Sequence, residues 1–199
     1  MRVSLPQYCK GFWSLKGLFA GVPFLIPLLR VCLPDSSELA GYLYPPLGDF
    51  QRLGFAATIG TLLLSMLVVH ASCESARKVL LRAYIILTFG WLLGVCCWCA
   101  LYGRYVRTVS VPSVGQEFEV SVGFQRTEFA LQWYPHSDDV EMLHDAGPYE
   151  EKIQQLWTQN SISAVRVLLW LSYTLTLACF LSVLSLTVYK QAADEASSE

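Results

Sequence analysis

Four stretches of the chain hold apolar side chains almost without a break, and between the third and the fourth the pattern changes to short mixed elements. The apolar runs extend from about Leu15 to Leu33, from Gly54 to about Ala71, from about Ala83 to Gly103 and from about Ala164 to Tyr189. A bilayer core takes about 20 mostly apolar residues of helix, so each run predicts a transmembrane helix. Pro23, Pro27 and Arg30 interrupt the first. No A-x-A cleavage site follows it, and it reads as a retained span rather than a signal peptide.

The mixed segment runs from Arg104 to Ile162. "YVRTVSV" and "EFEVSVGFQ" alternate apolar and polar residues with period two, and "PSVGQ" between them supplies turn chemistry, which predicts a hairpin. Ser137, Asp138 and Asp139 predict a helix start ahead of Val140, Met142 and Leu143, with Gly147 as its stop. Pro148 suits the first position of a second short helix, "PYEEKIQQLW", whose Glu150 and Glu151 complement the positive end of the helix dipole. Asn160 or Ser161 is expected to cap the fourth span. Acids outnumber the basic Arg104, Arg107, Arg126 and Lys152 here, and the segment contains no cysteine. Trp133, Tyr134, Tyr149 and Trp157 are placed to serve as core or as interfacial anchors. So short a module is expected to pack on the membrane bundle or on copies of itself.

The predicted fold class is an all-α membrane protein: a four-transmembrane-helix bundle with a small extracytoplasmic α+β module between helices 3 and 4. Residues 1–103 carry helices 1–3 with short loops, 104–162 the module, 163–189 the fourth helix and 190–199 a cytoplasmic tail. Basic residues in short flanks set orientation. Arg2, Lys10 and Lys16 lie in the N-terminal segment, and Arg77, Lys78 and Arg82 sit in the short connection "ASCESARKVLLR". Both segments are expected in the cytoplasm, where Arg77, Lys78 and Arg82 could contact a partner. The first connection, with Asp35, Glu38 and Asp49 against Arg52, is expected outside. Both termini then lie inside.

Composition agrees with this plan. Of the 199 residues, 54% are hydrophobic and only 15% charged, with a mean hydropathy of +0.42, against about 25% charge in a soluble domain. A formal net charge of -2 without a basic stripe gives no direct nucleic-acid partner.

The seven cysteines all lie in or beside the apolar runs, and Cys96 and Cys99 form a C-x-x-C. On a helix they share a face. Buried in the hydrocarbon layer they would be poor nucleophiles and metal ligands, so packing or lipid-facing thiols are expected. Four-helix membrane thiol oxidoreductases pair such a motif with cysteines in an outer loop, which this chain lacks. In "HSDDVEMLHD", His136, His144, Asp138, Asp139 and Asp145 could ligate a divalent ion, yet helix capping accounts for acids at that position. No Ser-His-Asp order, phosphate loop or H-E-x-x-H is present. The expected protein is not an enzyme and needs no cofactor or metal.

Small residues four apart recur in every span: Gly17 and Gly21, Ala56 and Gly60, Gly90 and Gly94, then Ser172 and Thr176 with Ala178 and Ser182. Helices associate in lipid through close backbone approach and inter-helix hydrogen bonds, so these residues are candidates for packing within the chain or between copies. No span contains an acid, which disfavours ion-coupled transport. Arg30 and Arg166, toward the outer ends of the first and fourth spans, are expected to reach lipid headgroups or to pair with Asp35 or with acids of the module. The competing reading is a ring of positive charge at the mouth of an oligomeric pore.

Four spans, inside termini and one large segment before the last also describe tetraspanins, but their loop cysteine motif is absent. Small colicin immunity proteins are similar in plan only. The layout and length resemble the membrane subunit of the bacterial Kiwa antiphage system, with "GFQRTEFA" and "DAGPYEEKIQQLW" the most distinctive stretches of the module. That resemblance implies a self-assembling inner-membrane sensor working with a cytoplasmic DNA-binding subunit. The expected function is a homo-oligomeric inner-membrane sensor or scaffold that signals membrane or extracytoplasmic perturbation to a cytoplasmic protein. A pore-forming effector is the first competitor and a thiol oxidoreductase the second.

Overall fold

A computed structural model describes residues 45–47, 51–72, 77–111 and 116–195. The first predicted span, with Gly17, Gly21 and Arg30, lies outside the described residues. Within them the chain is mostly helical. Helix α1 covers Gln51–Ser72, α2 Arg77–Tyr105 and α6 Gln159–Glu195; between α2 and α6 come strands β1 (Val106–Val111) and β2 (Gln116–Ser121) and three short helices. These are α3 (Glu128–Trp133), α4 (Asp139–Ala146) and α5 (Glu150–Leu156).

Two of the helices are long and apolar enough to cross a membrane, over Leu81–Tyr105 and Gln159–Lys190. The apolar part of α1, Gly54–Ser65, is shorter. The basic cluster expected in a loop is helical instead. With α1 ending at Ser72 and α2 starting at Arg77, Arg77, Lys78 and Arg82 fall in the first turns of α2. That end of α2 has no acidic residue in its first turn.

The described residues divide into two compact units. One joins parts of Phe55–Cys96 to parts of Thr174–Glu199; the other joins Cys97–Tyr173 to residues up to Gly54. In the first unit, helix contacts are made where side chains are small. A Cβ added at Gly94 would stand 3.3 Å from Thr176 Cα, and one at Gly90 3.3 Å from Cys179 Sγ. The Gly90/Gly94 pair therefore brings α2 against α6 within the chain. Trp91 stacks on Phe180 at 5.3 Å beside this contact. Between α1 and α6, Thr58 and Thr174 share a buried hydrogen bond of 3.1 Å. Ser182 donates to the Ala178 carbonyl one turn back, at 2.7 Å. The pair on α1 differs: Ala56 and Gly60 are exposed, and nothing lies within 4 Å of a Cβ built on Gly60.

The second unit holds the α+β module and has its own core. The hairpin is antiparallel, pairing Val106 with Ser121, Val109 with Phe118 and Val111 with Gln116. Strand β2 stops at Ser121, short of the expected Gln125. Val109 and Val120 face a core of Val122, Ala130, Met142, Leu143, Ile153, Leu156, Trp157 and Ile162. The hairpin base is covered on its other face as well: Val106 packs with Val165 and Leu169 of α6 and with Trp98, Tyr102 and Tyr105 of α2. The module is thus closed by the ends of the two long helices that belong to its unit.

Local signals in the module are strong. Asp138 caps α4 in a reciprocal box: Glu141 N–H donates to Asp138 Oδ1 at 2.8 Å, and Asp138 N–H to Glu141 Oε2 at 3.3 Å. Gly147 ends that helix at φ 93°, a conformation glycine tolerates best. Pro148 stands two residues ahead of α5 rather than at its first position, because Tyr149 is the N-cap. Helix α6 begins at Gln159, so Asn160 and Ser161 lie in its first turn and do not cap it. Helix α3, unforeseen from the sequence, starts where Thr127 Oγ1 accepts the Ala130 N–H at 3.2 Å. Of the aromatic residues, Trp157 is core at 1% exposure, whereas Trp133 is 68% and Tyr149 58% exposed.

Replacing Gly94 by alanine should destabilise the α2–α6 contact by about 1–3 kcal/mol, the usual cost of overpacking. Gly60→Ala should be neutral or slightly stabilising. Thermal unfolding of the detergent-solubilised variants checks both; equal effects would contradict the assigned contact.

Candidate functional site

Two arrangements in the second unit gather charged side chains. The first surrounds Arg166, only 3% exposed on the face of α6 that carries Ile162, Val165 and Leu169. Its guanidinium grips Glu150 with both ends: Nη1 donates to Oε1 at 2.8 Å and Nη2 to Oε2 at 2.7 Å. Nε donates to Ser121 Oγ at 2.9 Å. A bidentate pair with a third bond is the geometry that offsets the desolvation of a buried arginine. Three elements meet there, the end of β2, the first residue of α5 and the second turn of α6. The Arg166 guanidinium beside Glu150 holds that carboxyl below the usual carboxylate range, against the opposing effect of burial, and Gln154 Nε2 adds a further bond at 3.3 Å. Arg166 is therefore neither a free charge at a pore mouth nor a headgroup ligand. It has the other partner expected of it, an acid of the module.

The second arrangement is a cleft of about 330 Å³ lined by Arg104, Tyr105, Gly123, Phe124, Arg126, Asp138, Asp139 and Trp157. Its floor is tight: a Cβ on Gly123 would come within 2.9 Å of Trp157 Cβ. Asp139, the first residue of α4, sits between two arginines, 3.2 Å from Arg126 and 3.6 Å from Arg107. Arg126 Nη2 also donates to the Ser137 carbonyl at 3.0 Å. Arg107 Nη1 donates to the Gly103 carbonyl at 3.0 Å, closing the C-terminal turn of α2. No family model, curated protein or solved structure matches this chain. The site must be read from its chemistry alone.

Within the cleft Asp139 is paired with arginines, whereas among the described residues Asp138 accepts only the Glu141 N–H that caps α4. His136 and His144 are exposed and point to no shared site; among the described residues no three His, Cys, Asp or Glu side chains gather as a metal group. Cys96, Cys97 and Cys99 are free thiols on the exposed surface of α2, and Cys179 is a free, buried thiol against Gly90. Of the residues proposed for helix packing, Gly94 meets Thr176 across α2 and α6 and Gly90 meets Cys179, while Ser172 donates to the Leu169 carbonyl within its own helix at 3.0 Å. Arg82 is exposed.

Sequence reading missed Ser121, Arg107 and Arg126 as charge partners. The expectation that Arg166 pairs with an acid of the module holds, and the structure identifies that acid as Glu150, which local sequence marks only for the helix dipole.

Removing one member of the buried pair, as in Glu150→Ala or Arg166→Ala, should cost about 3–5 kcal/mol, whereas Glu150→Leu with Arg166→Met should recover most of it. Unfolding followed by far-UV circular dichroism reads this cycle, and additive losses would refute the pairing. Because the Glu150 carboxyl is depressed, its stabilisation is present above the ordinary glutamate range and is lost as pH falls through the depressed value. Acid titration should show this loss in the parent chain and not in Glu150→Gln.

Proposed function

We propose that this protein is a non-enzymatic, four-span, homo-oligomeric sensor or scaffold of the bacterial inner membrane. In this reading both termini lie in the cytoplasm and the α+β module faces the other side. The observation that carries the proposal is the Arg166–Glu150–Ser121 cluster, which fastens the module directly to a helix long and apolar enough to cross the membrane. A displacement of α5 or of the hairpin cannot leave α6 unaffected without breaking a buried ion pair. Such rigid attachment is what a signalling module needs and a freely tethered cap does not.

The basic first turns of α2, with Arg77, Lys78 and Arg82, are the proposed contact for a cytoplasmic protein. The Kiwa-like layout of the sequence supports the same type of partner and a role in antiphage defence. The engagement of Arg166 in an ion pair removes one of the two basic residues on which the pore reading stood.

Native mass spectrometry of the detergent-extracted chain, alone and co-expressed with products of neighbouring genes, is expected to give a homo-oligomer that takes up a second protein. A strictly monomeric, partnerless chain would overturn the proposal. Membrane-impermeant thiol reagents should label Ser137→Cys from outside the cell in a background lacking other reactive cysteines.

A further inference from the structure

We propose that the cleft at the C-terminal end of α2 binds the headgroup of a zwitterionic aminophospholipid, with the phosphate at Arg104 and the ammonium at Asp138. The inference rests on α2 crossing the bilayer. Arg104 and Tyr105 close the apolar stretch Leu81–Tyr105, which on that reading puts them where hydrocarbon gives way to headgroups. Arginine and tyrosine are the residues that anchor helices at that depth.

The charges of the cleft select the ligand class. Asp139 is already shared by Arg107 and Arg126. The Arg104 side chain, in contrast, has no ion-pair or hydrogen-bond partner among the described residues. The Asp138 carboxylate accepts the Glu141 N–H, and among the described residues no cation pairs with it. A purely anionic ligand would meet Asp138 and a purely cationic one Arg104; a ligand carrying both charges matches both. The volume of about 330 Å³ is at the small end of ligand sites, enough for a headgroup and not for a whole lipid. Phe124, 61% exposed on the cleft wall, supplies apolar surface beside the charges. The glycerol and first acyl carbons of a lipid would cover it, whereas a small soluble zwitterion would leave it in water.

The test uses the full chain in detergent, with lipid retention read by native mass spectrometry. The probes are phosphatidylethanolamine, phosphatidylglycerol and water-soluble glycerophosphoethanolamine. The parent chain should retain phosphatidylethanolamine about tenfold better than phosphatidylglycerol, the effect of one charge-assisted contact. Arg104→Gln should lower retention of both lipids by about the same factor. Asp138→Asn should abolish the preference while leaving the thermal unfolding of the module unchanged, since asparagine caps a helix as well as aspartate. Equal retention of the two lipids by the parent chain, or an unaltered Arg104→Gln, would overturn the proposal. Capture of glycerophosphoethanolamine as tight as that of the lipid would support the phosphate-and-ammonium chemistry and overturn the bilayer as its source. Alkaline extraction, run alongside, reads the span by itself. A chain released to the supernatant would sink the membrane reading, and a retained chain without headgroup preference would sink only this site.

Discussion

An arginine in the second turn of a long apolar helix can exist there only if its charge is met. In this protein Arg166 meets Glu150 and Ser121, and much of the second unit follows from that requirement. Satisfying the guanidinium fixes the rotation of α6, because Ile162, Val165 and Leu169 then turn toward the hairpin and its core. It also fixes where α5 begins, since Glu150 is both its first residue and the partner of Arg166. The carboxylate serves twice, completing the buried pair and occupying the positive end of a short helix.

The other long helix is tied in by a different device. Arg107 lies just past α2, where its guanidinium donates to the Gly103 and Val106 carbonyls, closing the last turn of the helix while reaching Asp139. Asp139 in turn holds Arg126, whose donors also satisfy the Ser137 carbonyl ahead of α4. Charges thus do in the second unit what small residues do in the first. There, Gly90 and Gly94 let α2 approach α6, and a threonine pair joins α1 to α6. Close backbone approach and a few shared hydrogen bonds are the contacts that hold helices together where lipid surrounds them.

These two modes assign different roles to the two parts of α2 and α6. The part packed on glycines and threonines is suited to hold a fixed contact. The part that meets the module is tied by the Arg166–Glu150 pair on α6 and by the Arg107–Asp139 pair just past α2, and charge pairs depend on pH, on ligands that compete for an arginine and on water entry. A sensor reading and a headgroup-binding cleft both draw on this second part.

Sequence alone determined the local features. Period-two alternation marked the hairpin, Ser137, Asp138 and Asp139 the start of α4 and Gly147 its end, and two of the four apolar runs are helices long enough for a bilayer. Each of these is set by residues within a few positions of one another. It also required that Arg166 find a partner, without saying which. Only the tertiary structure chose Glu150 and Ser121, brought Arg107 and Arg126 to a single aspartate, directed Gly90 and Gly94 to α6 within the chain, and left Ala56 and Gly60 open. The physical reason is separation along the chain. Partners 16 and 45 residues apart, as in the Arg166 cluster, meet only after the intervening core has closed, and no spacing rule records that event.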